Sequence, residues 1–194
     1  SEIYCRVENG VIVEYPVYAL HIRNRNHPFS FYTKVAFSQK PTVPDFCYLS
    51  SKIELLGEIP LVTYTVQEKN LQTVLNELHN ADGVPPLPGE EPTRVEVENV
   101  PVETLKQVLK LVKVLVQNRL DAWAATREYD GVVSVATYAT STTPQRAAEG
   151  QKAVENRDAT WDAMYAYLDK VQTKQKPVPL TVEEIVAELP ELTW

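Results

Sequence analysis

Residues 120–131 read LDAWAATREYDG, and residues 144–171 read PQRAAEGQKAVENRDATWDAMYAYLDKV. The first stretch closes an apolar stripe of Leu105, Val108, Leu109, Val112, Leu115, Val116, Leu120 and Trp123, which is the i, i+3, i+4, i+7 recurrence of one helix face. Pro101 and Glu103 suit a first helical turn, Asn99 stands nearby as a cap, and Asp130-Gly131 is a C-terminal break. A helix is therefore predicted over residues 101–129, roughly 40 Å long at ~1.5 Å rise per residue. The second stretch follows Thr143, places Pro144 in a first turn and predicts a helix to about residue 171. Ala147, Gly150, Val154, Trp161, Leu168 and Val171 mark its expected inner face. Two stripes of similar length joined by a short polar link predict an antiparallel helical hairpin. Thr181-Val182-Glu183-Glu184 then opens a short terminal helix with a capping-box pattern, stopped by Pro190.

Upstream, the periodicity changes to two. Ile3, Cys5 and Val7 alternate with polar residues, Asn9-Gly10 supplies the positive φ angles of a type I′ turn, and Val11, Val13 and Tyr15 resume the alternation. A hairpin is expected over residues 2–15, with Pro16 restricting the second strand to an edge. Between residues 21 and 51 the signals weaken. Phe29, Phe31, Tyr32, Val35 and Phe37 form an aromatic patch, which is either core packing or a docking surface; core is the favoured reading. Val62, Tyr64 and Val66 alternate as a strand, and Leu71, Val74, Leu75 and Leu78 mark a short amphipathic helix. Residues 83–92 then read GVPPLPGEEP. Pro85, Pro86 and Pro88 can continue neither a helix nor a central strand, so the segment is read as a stiff linker: a plain spacer, or an arm that lies on a neighbouring subunit.

The class that follows is α+β. Residues 1–82 form a β-rich N-terminal domain with a hairpin and one short helix, suited to attachment or docking. Residues 83–99 form a Pro-rich linker, and residues 100–194 an α-helical hairpin domain with a short terminal helix.

The small and charged residues of the hairpin carry the candidate contacts. Gly150 costs ~1 kcal/mol against Ala inside a helix, which close approach of another backbone would offset. Asp121 and Arg127 on the first helix, and Arg157 and Asp158 on the second, are expected to pair across the seam as Asp121–Arg157 and Arg127–Asp158. Such pairs set register more than they add stability. A catalytic site built from these four charges is the sharper alternative and is not the reading adopted.

Composition bounds the function. The 194 residues carry 19 basic and 26 acidic groups, net −7, with 8 basic and 13 acidic in residues 1–99 and 11 and 13 in the remainder. Neither part offers the basic face that a nucleic-acid backbone requires, so no nucleic-acid partner is expected. The apolar run at residues 108–116 is broken by Lys110 and Lys113, which argues against a membrane span, and Ser1-Glu2-Ile3-Tyr4 does not read as a secretory signal. Cys5 and Cys47 are read as free thiols, Cys5 buried. His21, His27 and His79 lack metal-ligand spacing, no phosphate-binding glycine loop or Gly-x-Ser-x-Gly elbow is present, and Ser50-Ser51-Lys52 reads as solvated surface. No cofactor, metal or catalytic residue is expected.

The ordered motifs LDAWA (120–124), YDG (129–131), TYATS (137–141), AEG (148–150) and RDATW (157–161) resemble a C-terminal domain of unknown function in bacteriophage tail-associated proteins. The resemblance covers residues 100–194, and the opening RVENGVIVEY (6–15) is similar to the starts of tail-fibre and fibre-assembly proteins. Where that family often reads TRGYDG, this chain has Glu128 in place of the glycine. The resemblance implies a structural component of a virion tail, in a fibre or baseplate attachment, made in the bacterial host cytoplasm. It implies homo- or hetero-oligomeric contacts with other tail proteins. A fibre-assembly chaperone that leaves the particle is the alternative it implies, and a tail-tip enzyme a more distant one.

Overall fold

The computed structural model of the chain describes residues 2–22, 29–80 and 87–194. It divides into two compact units, Ser1–Lys69 and Asn70–Trp194, and its architecture is α+β.

The described residues of the first unit form two three-stranded sheets. Strand β1 (Ile3–Glu8) pairs antiparallel with β2 (Val11–Tyr18) across Asn9 and Gly10, whose φ angles of 51° and 74° are those the Asn-Gly turn demands. The order β2-β1-β3, with β3 at Tyr32–Lys34, leaves β2 at an edge of the described sheet, and Pro16 falls where the β1–β2 register shifts between Tyr4 and Arg6. A short helix α1 (Ala19–Ile22) follows β2. Both faces of β1 are covered. Tyr4 packs with Val17, Ile22 and Tyr32 on one side, while Cys5, Ile3 and Val7 pack with Val35, Val62, Ile53 and Tyr64 on the other. In the second sheet β6 (Ile59–Glu68) lies between β4 (Ala36–Phe37), parallel to it, and β5 (Cys47–Leu56), antiparallel. The sequence reading saw β6 but not β5. The ten-residue β5 carries its apolar side chains irregularly, and only the two-residue Gly57-Glu58 turn marks the hairpin.

The aromatic patch divides. Tyr32 and Val35 are core, while Phe31 and Phe37 stay exposed; the Phe29 side chain lies outside the described residues.

In the second unit, α2 (Leu71–His79) begins at Asn70, whose side-chain oxygen accepts from the Thr73 amide at 2.8 Å. Leu71 and Leu75 enter the core of the helical unit, so the compact N-terminal unit ends at Lys69 rather than at residue 82. Pro85 and Pro86, two of the expected linker residues, lie outside the described residues. Pro88 is exposed in a turn closed by the Glu90 amide on the Leu87 carbonyl, and by Arg94 the chain is already bound into the second unit.

Helices α3 (Val102–Ala125) and α5 (Pro144–Gln172) form the hairpin. They run antiparallel: Arg127, just beyond α3, meets Glu149 at the start of α5, and Lys174, just beyond α5, meets Glu98 ahead of α3. α3 stops four residues earlier than predicted because the chain turns at residues 126–128, where the Thr126 hydroxyl donates to the Trp123 carbonyl and Glu128 takes φ 63°. The link holds a further helix, α4 (Val132–Ala136), and a 3₁₀ turn over Thr137–Thr140. On α5 the buried line is Gly150, Ala153, Asn156, Thr160, Met164, Tyr167 and Val171, rotated from the apolar line read in the sequence. Two of its members are polar, which a search for apolar recurrence passes over. A last helix, α6 (Val182–Val186), starts at Thr181, whose hydroxyl accepts from the Glu184 amide. No helix among the described residues is long and apolar enough to cross a membrane.

Candidate functional site

The motif residues gather at the closed end of the hairpin, where each solves a packing problem. Asp121, on the last turns of α3, accepts from the Val132 amide at 2.9 Å and from Gln117, so its carboxylate caps the amide end of α4. A Cβ at Gly131 would lie 2.8 Å from Asp121 Oδ1, so a larger residue there would displace the capping carboxylate. Gly150 faces the 3₁₀ turn so closely that a Cβ would meet the Ala139 nitrogen at 2.2 Å and the Tyr138 carbonyl carbon at 2.4 Å. The AEG and TYATS motifs are thus two sides of one backbone-to-helix contact.

Around that contact lies a ladder of rings and charges. Trp123, buried, stacks on Trp194 with centroids 3.9 Å apart, and the Arg127 guanidinium sits 4.4 Å over the Trp194 ring. Trp194 also donates its indole N–H to the Thr126 hydroxyl. Arg127 Nη1 reaches Glu149 at 2.7 Å, and the Tyr129 hydroxyl donates to the other Glu149 oxygen at 2.6 Å. The Tyr129 hydroxyl, with Gln145 and Arg127, holds the Glu149 carboxyl below the usual carboxylate range, while the same bond raises the Tyr129 phenol. The 190–194 segment is strapped to both helices, Arg119 donating to the Pro190 carbonyl and Asn156 to the Thr193 carbonyl.

The expected seam pairing does not occur. Arg127 is bound to Glu149 and Asp121 to α4, while Arg157 and Asp158 pair with each other on the outer side of α5. The cause is angular: Asn156 and Thr160 point to the core, which turns the residues between them outward. Trp161 is half-buried and lies 6.1 Å from the Tyr165 ring, so it does not fill the hairpin core as Trp123 does.

A second polar cluster went unread in the sequence. Arg94 makes a two-pronged contact with Glu184, at 2.7 and 2.9 Å, and donates to the Val178 carbonyl. Arg94, together with the Leu180 amide, holds the Glu184 carboxyl down to about 2. His79 accepts from the Val95 amide at Nδ1, so Nε2 carries the proton given to the Pro179 carbonyl. Gln72 donates to the Leu180 carbonyl and accepts from the Val182 amide. Together these side chains clamp three segments distant in sequence. Beside them a cleft of ≈ 280 Å³ is lined by Arg94, Glu96, Val97, Lys174, Lys176 and Val178. Its basic groups are spent on neighbours, with Lys174 on Glu98 and Lys176 on Glu188. Deeper in, burial and the Glu188 and Glu184 carboxylates push the Tyr167 phenol up to about 12.

Both cysteines are free, and burial pushes the Cys5 thiol up. Among the described residues no three His, Cys, Asp or Glu side chains are grouped to hold a metal ion. No family model, curated protein or solved structure matches the chain.

Proposed function

We propose that this chain is a non-catalytic structural component of a bacteriophage tail, a fibre or baseplate attachment protein that works through protein–protein contacts. The observation that carries the contact reading is the apolar surface of the N-terminal unit. Val11, Val13, Tyr15 and Tyr18 are exposed along the edge strand β2, and Leu56 and Ile59 are 68% and 58% exposed at the tip of the β5–β6 hairpin. An edge with no strand partner among the described residues, beside exposed apolar side chains, is a ready surface for another chain. Asp121, Trp123, Arg127 and Tyr129 of the helical unit, by contrast, are engaged within the fold. The tail setting is supported by the ordered LDAWA, YDG, TYATS, AEG and RDATW motifs.

Quantitative mass spectrometry of purified phage particles tests the reading. A stoichiometric copy number in mature particles is expected. A protein missing from particles that instead raises the yield of folded fibre on co-expression would replace it with the assembly chaperone.

A further inference from the structure

The faces of α3 and α5 turned away from the core are oppositely charged. Lys106, Lys110 and Lys113 are exposed along α3, with Val114 48% exposed beside them. Asp158, Asp162 and Asp169 are exposed along α5, with Tyr165 53% exposed among them and Trp161 adjoining it. The steps of Lys106, Lys110 and Lys113 on α3 match those of Asp158, Asp162 and Tyr165 on α5; the lysines span about 10 Å of helix, and the acidic face, which continues to Asp169, about 16 Å. Lys110 has a partner within the chain, and the ion pairs of Lys106 with Glu103 and Arg157 with Asp158 are exposed pairs of a kind worth only ~0–1 kcal/mol, which exchange for other partners at little cost.

We propose that these stripes form a self-association interface in which the lysine face of α3 docks on the acidic, aromatic face of α5 in a second copy of the chain. Charge complementarity selects the occupant. A chain of net −7 repels its copies in most orientations, and two α5 faces repel each other most directly; α3 against α5 is attractive. Tyr165, a residue type in which binding energy concentrates, and Val114 supply the apolar centre that the charged rims surround, with the half-buried edge of Trp161 beside Tyr165. The interface belongs to the helical unit alone and does not depend on the tail reading.

Sedimentation equilibrium of the full chain tests it. Association is expected at low ionic strength, weakening as salt shortens the Debye length from about 10 Å at ~0.1 M to about 3 Å at ~1 M. The variant carrying Lys106→Glu, Lys110→Glu and Lys113→Glu, and the variant carrying Asp158→Lys, Asp162→Lys and Asp169→Lys, should each raise the Kd more than ~10-fold. Mixed in equal amounts, the two should associate with a Kd within ~3-fold of the unaltered chain, because the swapped charges face each other again. Tyr165→Ser, an exposed position without charge, should weaken association on its own, and far-UV circular dichroism reports whether each variant is folded. A chain that stays monomeric at low salt, reversals that leave the Kd unchanged, or folded variants that fail to recover on mixing would each overturn the proposal.

Discussion

Gly150 and Glu128 show how single positions set the closed end of the hairpin. At Gly150 an added methyl group meets backbone atoms of the 3₁₀ turn, not the movable end of a side chain. The intrinsic helix gain of alanine, ~1 kcal/mol, is therefore outweighed by a clash at the upper end of the ~1–3 kcal/mol range for overpacking. Gly150→Ala should lower the unfolding free energy by about 2 kcal/mol, read from the urea midpoint at unchanged slope. Glu128 presents the opposite case, since its φ of 63° is the left-handed region that favours glycine. Glu128→Gly should stabilise by about 0.5–1 kcal/mol, the relieved strain exceeding the added chain entropy. The glycine role was legible as a cost that close packing must offset; its partner, the backbone of Tyr138 and Ala139, was not, because no local pattern marks a tertiary approach.

At the scale of elements, the clamp of Gln72, His79, Arg94 and Glu184 is what binds α2 and the 92–97 segment to the chain ahead of α6. Its pH dependence follows from Glu184. The folded carboxyl titrates near 2 against the ordinary 4.5, so its contribution is fully present above pH 4.5 and is lost as pH falls from there toward 2. The pair is about one-third exposed, so solvent screening reduces the contribution to about 1 kcal/mol. Chemical denaturation of the unaltered chain and of Arg94→Met across this window should show the variant less stable at pH 6 and the difference largely gone at pH 2. A difference that persists unchanged to pH 2 would show that Arg94 acts through packing alone. The capping-box pattern at Thr181–Glu184 pointed to the start of α6 correctly. The Glu184 carboxylate does not turn back onto the Thr181 amide, however: it takes the Leu180 amide and Arg94, a partner 90 residues away.

At the scale of the whole molecule, the helical unit is larger than its helices. Leu71, Leu75, Val95 and Val97 all pack against the hairpin core, so the hairpin without α2 lacks part of its cover. A fragment of residues 70–194 should unfold cooperatively in thermal melts. A fragment of residues 100–194, cut where composition alone places the boundary, should be less stable and expose apolar surface to a dye such as ANS. Equal melting temperatures for the two would show that α2 and the clamp add nothing.

The sequence by itself determined the elements whose physics is local. Asn9-Gly10 set a turn, apolar recurrence set α2 and α3, Pro144 marked the start of α5, and Thr181 marked α6. These follow from backbone sterics and from side-chain period, which act over a few residues. Tertiary structure alone decided which faces those elements show one another. It placed α2 in the helical unit, turned Arg157 and Asp158 outward, put Asn156 and Thr160 into the core, and gave Arg127 to Glu149 and Trp194. Each outcome depends on where a distant segment offers an apolar surface or an unpaired hydrogen-bonding group, and the order of residues within a single helix carries no record of that.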